Sequence, residues 1–186
     1  MNDIDKLLRN IQEAAIPGRE DRGMLAALRR GFSEATEQYA WPHLAPYCPM
    51  TDPKQRAIWL TVAAAKATLA PDGLDHAGLG VGNLGATMRH LALGDDRPKN
   101  EKGTQKALAS FEARFRRLLT CQTVEELCRH LVGVIRAASA KRKLVDLKQL
   151  FWDLQKWEST TEPTVKVQWA QGYWVSTPDT SPEERP

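Results

Sequence analysis

Cysteine is scarce in this chain of 186 residues: Cys48, Cys121 and Cys128 are the three present, and no two stand in a C-x-x-C spacing. That argues against a disulfide framework or a zinc knuckle and leaves them as small, buried hydrophobes. Long apolar runs are also missing. Nothing approaches the roughly 20 apolar residues that cross a bilayer. The start, MNDIDKLLRN, carries acids where a secretory signal has basic residues and then an apolar stretch. The expected location is therefore the cytoplasm, with no membrane contact. The four histidines, His43, His76, His90 and His130, are scattered. None forms H-E-x-x-H or stands at metal spacing from a cysteine, and there is no G-x-S-x-G elbow and no paired-carboxylate setting. No catalytic residue, metal ligand or cofactor is expected.

One glycine pattern needs weighing. Gly80, Gly82 and Gly85 spell G-x-G-x-x-G, the fingerprint that lets a pyrophosphate approach a helix N-terminus. That chemistry also requires a preceding β-strand and an acidic residue about 20 positions later. Here PDGLDHA precedes the glycines and Gln105 occupies the later position, so a turn between helices is expected.

Sustained apolar/polar alternation is absent too, which removes half-buried strands. What is present is helical spacing almost throughout. Hydrophobic residues make up 42% and charged ones 26%, the composition of a chain with enough apolar surface to fold. The predicted class is all-α, as two small helical bundles joined by a polar linker. Ile4, Leu7, Leu8 and Ile11 share one face before Pro17-Gly18, and a helix near Arg19 to Phe32 turns Met24, Leu25, Leu28 and Phe32 inward. Asp52-Pro53 pairs an N-cap with proline at the first helical position, opening a helix to about Leu69. A shorter one holds Leu84, Met88 and Leu91. The segment GDDRPKNEK, Gly94 to Lys102, has no apolar residue and marks the boundary. It leaves an N-terminal helical domain, 1–93, and a C-terminal bundle, 103–176. Asp95-Asp96 within it reads as a solvated pair. Four helices follow: Thr104 to Leu119, one capped by Thr123 with Glu126 completing a capping box, one capped by Asp146, and an aromatic one from Val165 to Trp174. The polar, proline-rich residues 177–186 are expected to be a disordered tail. The six tryptophans are expected mainly to fill the core rather than to offer base-stacking platforms.

Charge is modest in sum, 26 basic against 23 acidic residues, but unevenly placed. At about 100° per residue, Leu108, Phe111, Phe115, Leu118 and Leu119 share a face, and Arg117 projects opposite with Arg114 and Arg116 beside it. The next helix repeats this: Arg129 and Arg136, seven apart, oppose Leu127, Leu131, Val134 and Ile135, and Lys141, Arg142 and Lys143 extend the charge. Arg22 and Arg29 likewise oppose Met24 and Leu28, with Arg30 adjacent. Arginines clustered on exposed faces suit paired hydrogen bonds to phosphate. Solvated helix faces would present the same pattern.

The runs Arg22-Gly23-Met24-Leu25-Ala26-Ala27-Leu28-Arg29-Arg30, Asn83-Leu84-Gly85, Phe111-Glu112-Ala113-Arg114-Phe115-Arg116-Arg117-Leu118-Leu119, Leu150 to Trp157, and Val167-Gln168-Trp169-Ala170 with Tyr173-Trp174 resemble, in the same order, the CasB family. This is the small subunit of the type I-E CRISPR Cascade complex. The resemblance implies a helical, non-catalytic protein, present as a pair and lying along the guide RNA beside the backbone and large subunits. It implies contacts to target DNA and the displaced strand through a basic surface. Carried over by motif, it favours Arg22, Arg29, Arg30, Arg114, Arg116 and Arg117. Their position on or beside the basic helix faces adds Arg129, Arg136, Lys141, Arg142 and Lys143. A helical adaptor that binds acidic protein with the same faces remains the alternative, and a small helical enzyme would need a polar pocket that no local motif announces.

Overall fold

The computed structural model describes residues 2–74, 82–94 and 100–175. Gly80, His76, Asp95-Asp96 and the 177–186 tail lie outside the described residues. Among the described residues there are nine α-helices and no strand: α1 (Asp3–Ala14), α2 (Arg22–Arg29), α3 (Trp41–Leu44), α4 (Pro53–Leu69), α5 (Leu84–Leu93), α6 (Glu101–Thr120), α7 (Val124–Ala140), α8 (Leu147–Gln155) and α9 (Val165–Trp174). Short 3₁₀ turns follow α2 and α4 and precede α3.

The helix starts follow capping chemistry. A helix leaves its first N–H groups without intrahelical partners, and a side-chain oxygen at the cap satisfies them. Asp52 accepts from the N–H groups of Lys54 and Gln55, Asp146 from that of Gln149, and Thr164 from that of Val167. Thr123 accepts from the N–H of Glu126 at 3.3 Å, but the Glu126 carboxylate reaches the N–H of Gln122 at 3.0 Å rather than that of the cap itself. The helix expected from Arg19 begins later, at Arg22, because Asp21 caps it through the N–H of Met24 at 2.8 Å. It tightens into a 3₁₀ turn from Arg30 to Phe32.

Helix α4 lies at the centre. Ile58 to Ala67 are buried without a break, on all sides of the helix, and α1, α2, α7 and α8 pack around it. Ala63, Ala64, Ala65 and Ala67 keep its surface narrow enough for neighbours on every side. Buried residues from before and after the 94–102 segment belong to one continuous cluster: Leu7, Leu28, Ile58, Leu91, Phe115, Leu131, Leu154 and Trp169 are all members.

Helix α9 crosses α5 at very short range. A Cβ on Gly85 would collide with the backbone of Trp169, and one on Gly172 with the side chain of Asn83. Glycine is needed at Gly85 because backbone approaches backbone there, and at Gly172 because the Asn83 amide oxygen fills the space a Cβ would take. Asn83 uses both ends of its amide: its oxygen caps α5 at the N–H of Ala86, and its nitrogen donates to the carbonyl of Gln168 at 2.8 Å. Gly85, the third glycine of the G-x-G-x-x-G pattern, thus serves helix packing.

Candidate nucleic-acid interface

All of the arginines singled out by face analysis are exposed, as are Lys141 and Arg142, while Lys143 is half-buried. The structure divides them by what holds them. The guanidinium groups of Arg22, Arg117 and Arg136 have no hydrogen bond, ion pair or ring contact among the described residues. Arg29 donates its Nε to the carbonyl of Ala67 at 3.0 Å, tying α2 to the last turn of α4. Arg30 lies over the Tyr39 ring at 4.5 Å. Arg129 pairs with Glu34 at 3.0 Å, Arg142 with Asp72 at 3.5 Å, and Arg116 with Glu112 at 2.6 Å. Ion pairs this open to solvent are worth about 0–1 kcal/mol, so a phosphate competes with them readily.

Two arginines line one groove, and a lysine lies against its aromatic wall. Between α5, α6 and α7 lies a cavity of about 450 Å³ whose walls include Met88, Leu91, Phe111, Arg114, Arg117, His130 and Val134. The half-buried Phe111 is its aromatic wall. Arg114 stands 5.7 Å from the ring centre and Lys141 4.7 Å from it, and Lys141 also donates to the carbonyl of Leu91 at 3.1 Å. An aromatic ring next to guanidinium and ammonium groups offers stacking and phosphate neutralisation together. Phe111 was legible only as a core residue, because its wheel position is apolar. Its cationic neighbour Lys141 arrives from the end of α7.

The tryptophans separate into two sets. Trp59, Trp157 and Trp169 are buried, as expected for core filling, whereas Trp41, Trp152 and Trp174 are 41%, 39% and 39% exposed. Trp174 packs edge-on against Phe115 at 5.2 Å and carries Arg116 at 5.3 Å on its ring. Trp152 leans edge-on against Phe151. Trp152 and Trp174 thus touch core rings edge-on while part of each stays exposed.

The cysteines are buried as anticipated. Burial pushes the Cys48 thiol up to about 11 and the Cys128 thiol up to about 12, so both stay protonated at neutral pH. Cys121 differs in its neighbours. Although no cysteine and histidine stand at a familiar metal spacing in sequence, the fold brings Cys121, Glu126 and His130 together, with one ligand atom from each within 4.8 Å of the others. A local signal for this existed: Glu126 and His130 are four apart and share a face of α7.

Comparison with known proteins gives these faces a context. The model of the CRISPR-associated protein Cse2 family matches residues 24–174, from the first turn of α2 to the last residue of α9. The chain belongs to the Cse2 family. No curated protein and no solved structure matches the chain. Cse2 proteins are structural subunits of Cascade, the type I-E CRISPR defence complex, which makes other Cascade subunits the partners. Among the described residues no helix is long and apolar enough to cross a membrane.

Proposed function

We propose that this Cse2-family chain is a non-catalytic, cytoplasmic subunit that holds nucleic-acid backbone within Cascade, steadying the guide RNA/target DNA R-loop and the displaced strand. A second copy of the chain would stand beside it. The observation that carries this reading is the set of exposed guanidinium groups without partners among the described residues, Arg22, Arg117 and Arg136, with Arg117 and Arg114 lining the groove walled by Phe111, on whose ring Lys141 lies. Opening a duplex under an RNA guide is a near-balanced exchange of base pairs, so a few backbone contacts tip it. Such contacts need well-placed charge and no base recognition. The paired arginines, Arg116, Arg129 and Arg142, are a reserve that exchanges a carboxylate for a phosphate.

The test is target binding by reconstituted Cascade carrying Arg22→Ala, Arg117→Ala and Arg136→Ala, measured across a salt series. Each lost contact lowers the magnitude of the salt slope by about 0.7 for a single strand or 0.9 for a duplex, while melting of the isolated subunit stays at the wild-type value. Wild-type affinity and slope in the triple variant would overturn the proposal and favour a helical adaptor that touches only protein.

A further inference from the structure

The junction between α6 and α7 brings together three side chains of different ligand chemistry. Helix α6 ends at Thr120, Cys121 turns the chain out of the helix with ψ 129°, and Thr123 caps α7. Cys121 therefore faces the first two turns of α7, where Glu126 and His130 lie one above the other. We propose that Cys121, Glu126 and His130 bind a divalent transition-metal ion, zinc by their chemistry, with a water molecule in the fourth position.

The donor set is one sulfur, one oxygen and one nitrogen, each a common zinc ligand, and three protein ligands with one open position is an established zinc arrangement. With bonds of about 2.0–2.3 Å, tetrahedral geometry places ligand atoms roughly 3.5 Å apart. The three atoms here lie within 4.8 Å of one another, so metal binding would draw the half-buried His130 and Glu126 side chains closer to the thiol. Charge favours the same reading. A dication with one thiolate, one carboxylate and one neutral imidazole sums to zero, which suits a site whose sulfur residue is fully buried.

Support around the ligands is already in place. One Glu126 oxygen accepts from the N–H of Gln122 at 3.0 Å, orienting the carboxylate and leaving its other oxygen for a ligand. The Cys121 carbonyl is held from two other parts of the chain, by Lys166 Nζ at 2.7 Å and by the Trp157 indole N–H at 3.3 Å. The Cys121 thiol donates to the Arg117 carbonyl at 3.3 Å; metal binding would release that proton. Among the described residues neither ring nitrogen of His130 has a hydrogen-bond partner, so the imidazole is available as a ligand.

The experiment uses the full chain alone, stripped of metal with a chelator, so its outcome is independent of nucleic-acid binding. Titration with Co²⁺ followed by absorbance should give a single-site complex with a thiolate-to-cobalt charge-transfer band and tetrahedral visible bands, both removed by Zn²⁺. The charge-transfer band should vanish in Cys121→Ser and persist in Cys48→Ser. Affinity should fall at least about tenfold in Glu126→Gln and His130→Ala; because His130 is only half-buried, that variant keeps the test valid if Cys121→Ser fails to fold. Absence of a 1:1 complex would overturn the proposal. So would a complex whose affinity survives His130→Ala, or a band that depends on Cys48.

Discussion

The indole N–H of Trp169 donates to a carboxylate oxygen of Asp153 at 2.6 Å, and both residues are buried. Gln149 donates to the other oxygen at 2.7 Å. Trp169→Ala is expected to lower stability by about 3–5 kcal/mol through the lost volume. Trp169→Phe keeps most of that volume but removes a donor from a buried acceptor, so it should cost about 1–3 kcal/mol. Chemical denaturation of the isolated chain reads both. Unchanged stability in Trp169→Ala would show that the ring is not part of the core.

Burial raises the Asp153 pKa above its ordinary value of 3.8, with the two hydrogen bonds opposing it. As pH rises through that value the unfolded chain ionises this carboxyl while the folded chain still holds its proton. The wild type should therefore lose stability relative to Asp153→Asn as pH rises from about 3.8. Paired melting curves of the two proteins across acid pH give the difference, in which the other carboxylates cancel. A difference independent of pH would refute the assignment.

Lys66 shows the opposite sign. It is 7% exposed, its Nζ donates to Gln12 at 2.6 Å, and burial lowers its pKa from 10.5 to about 8. Between those values the unfolded chain binds a proton that the folded chain has released, so stability rises with pH there. Lys66→Met should be the more stable protein at neutral pH, by at most about 3 kcal/mol for a shift of this size. That advantage should shrink as pH climbs from 8 to 10.5. An advantage that stays constant over this interval would count against the shift.

Two glycine substitutions should act in opposite directions. Gly85→Ala forces a methyl group into the backbone of Trp169 and should cost at least the about 1–3 kcal/mol typical of overpacking. Gly133→Ala on the exposed side of α7 meets nothing within 4 Å and should stabilise by up to about 1 kcal/mol, the difference in helix propensity. Thermal melts of the pair suffice, and a neutral Gly85→Ala would mean that α9 does not cross α5 this closely.

Arg142 follows α7 with φ 51°, in the left-handed region that glycine favours. Holding a non-glycine residue there costs about 1–2 kcal/mol. Arg142→Gly should thus leave stability equal or slightly higher, despite losing the Asp72 pair. A clear loss of stability would make that ion pair a structural element.

Helix existence was legible in the chain because its signals are local. Asp52, Thr123 and Asp146 each sit just before an apolar-periodic run, and each caps the helix it announces. The 3₁₀ turns and short α3 between Arg30 and Leu44 have no such periodicity and were not legible. The exposure of the basic faces could also be read from the wheel. Which cations are held internally could not, since Glu34 reaches Arg129 across 95 positions of sequence. The same limit applies to Phe111 and Lys141, to the exposed Trp174, and to Cys121 beside His130. In each, local spacing fixes the direction of a side chain, and the neighbour comes from another element.

Helix α6 is unevenly anchored. Its fully buried residues, Phe115 and Leu118, lie in its last two turns, and none of its residues before Phe115 is fully buried. Amide exchange should therefore be slow toward Thr120 and fast near Glu101. Arg114 and Arg117 interleave with the two anchors, on the part of the helix that is packed against the core. A phosphate arriving at these guanidinium groups would not have to order the helix beneath them, so little of its binding free energy would be lost to conformational entropy. The same two charges moved three turns toward Glu101 would sit on backbone that the ligand must first hold still.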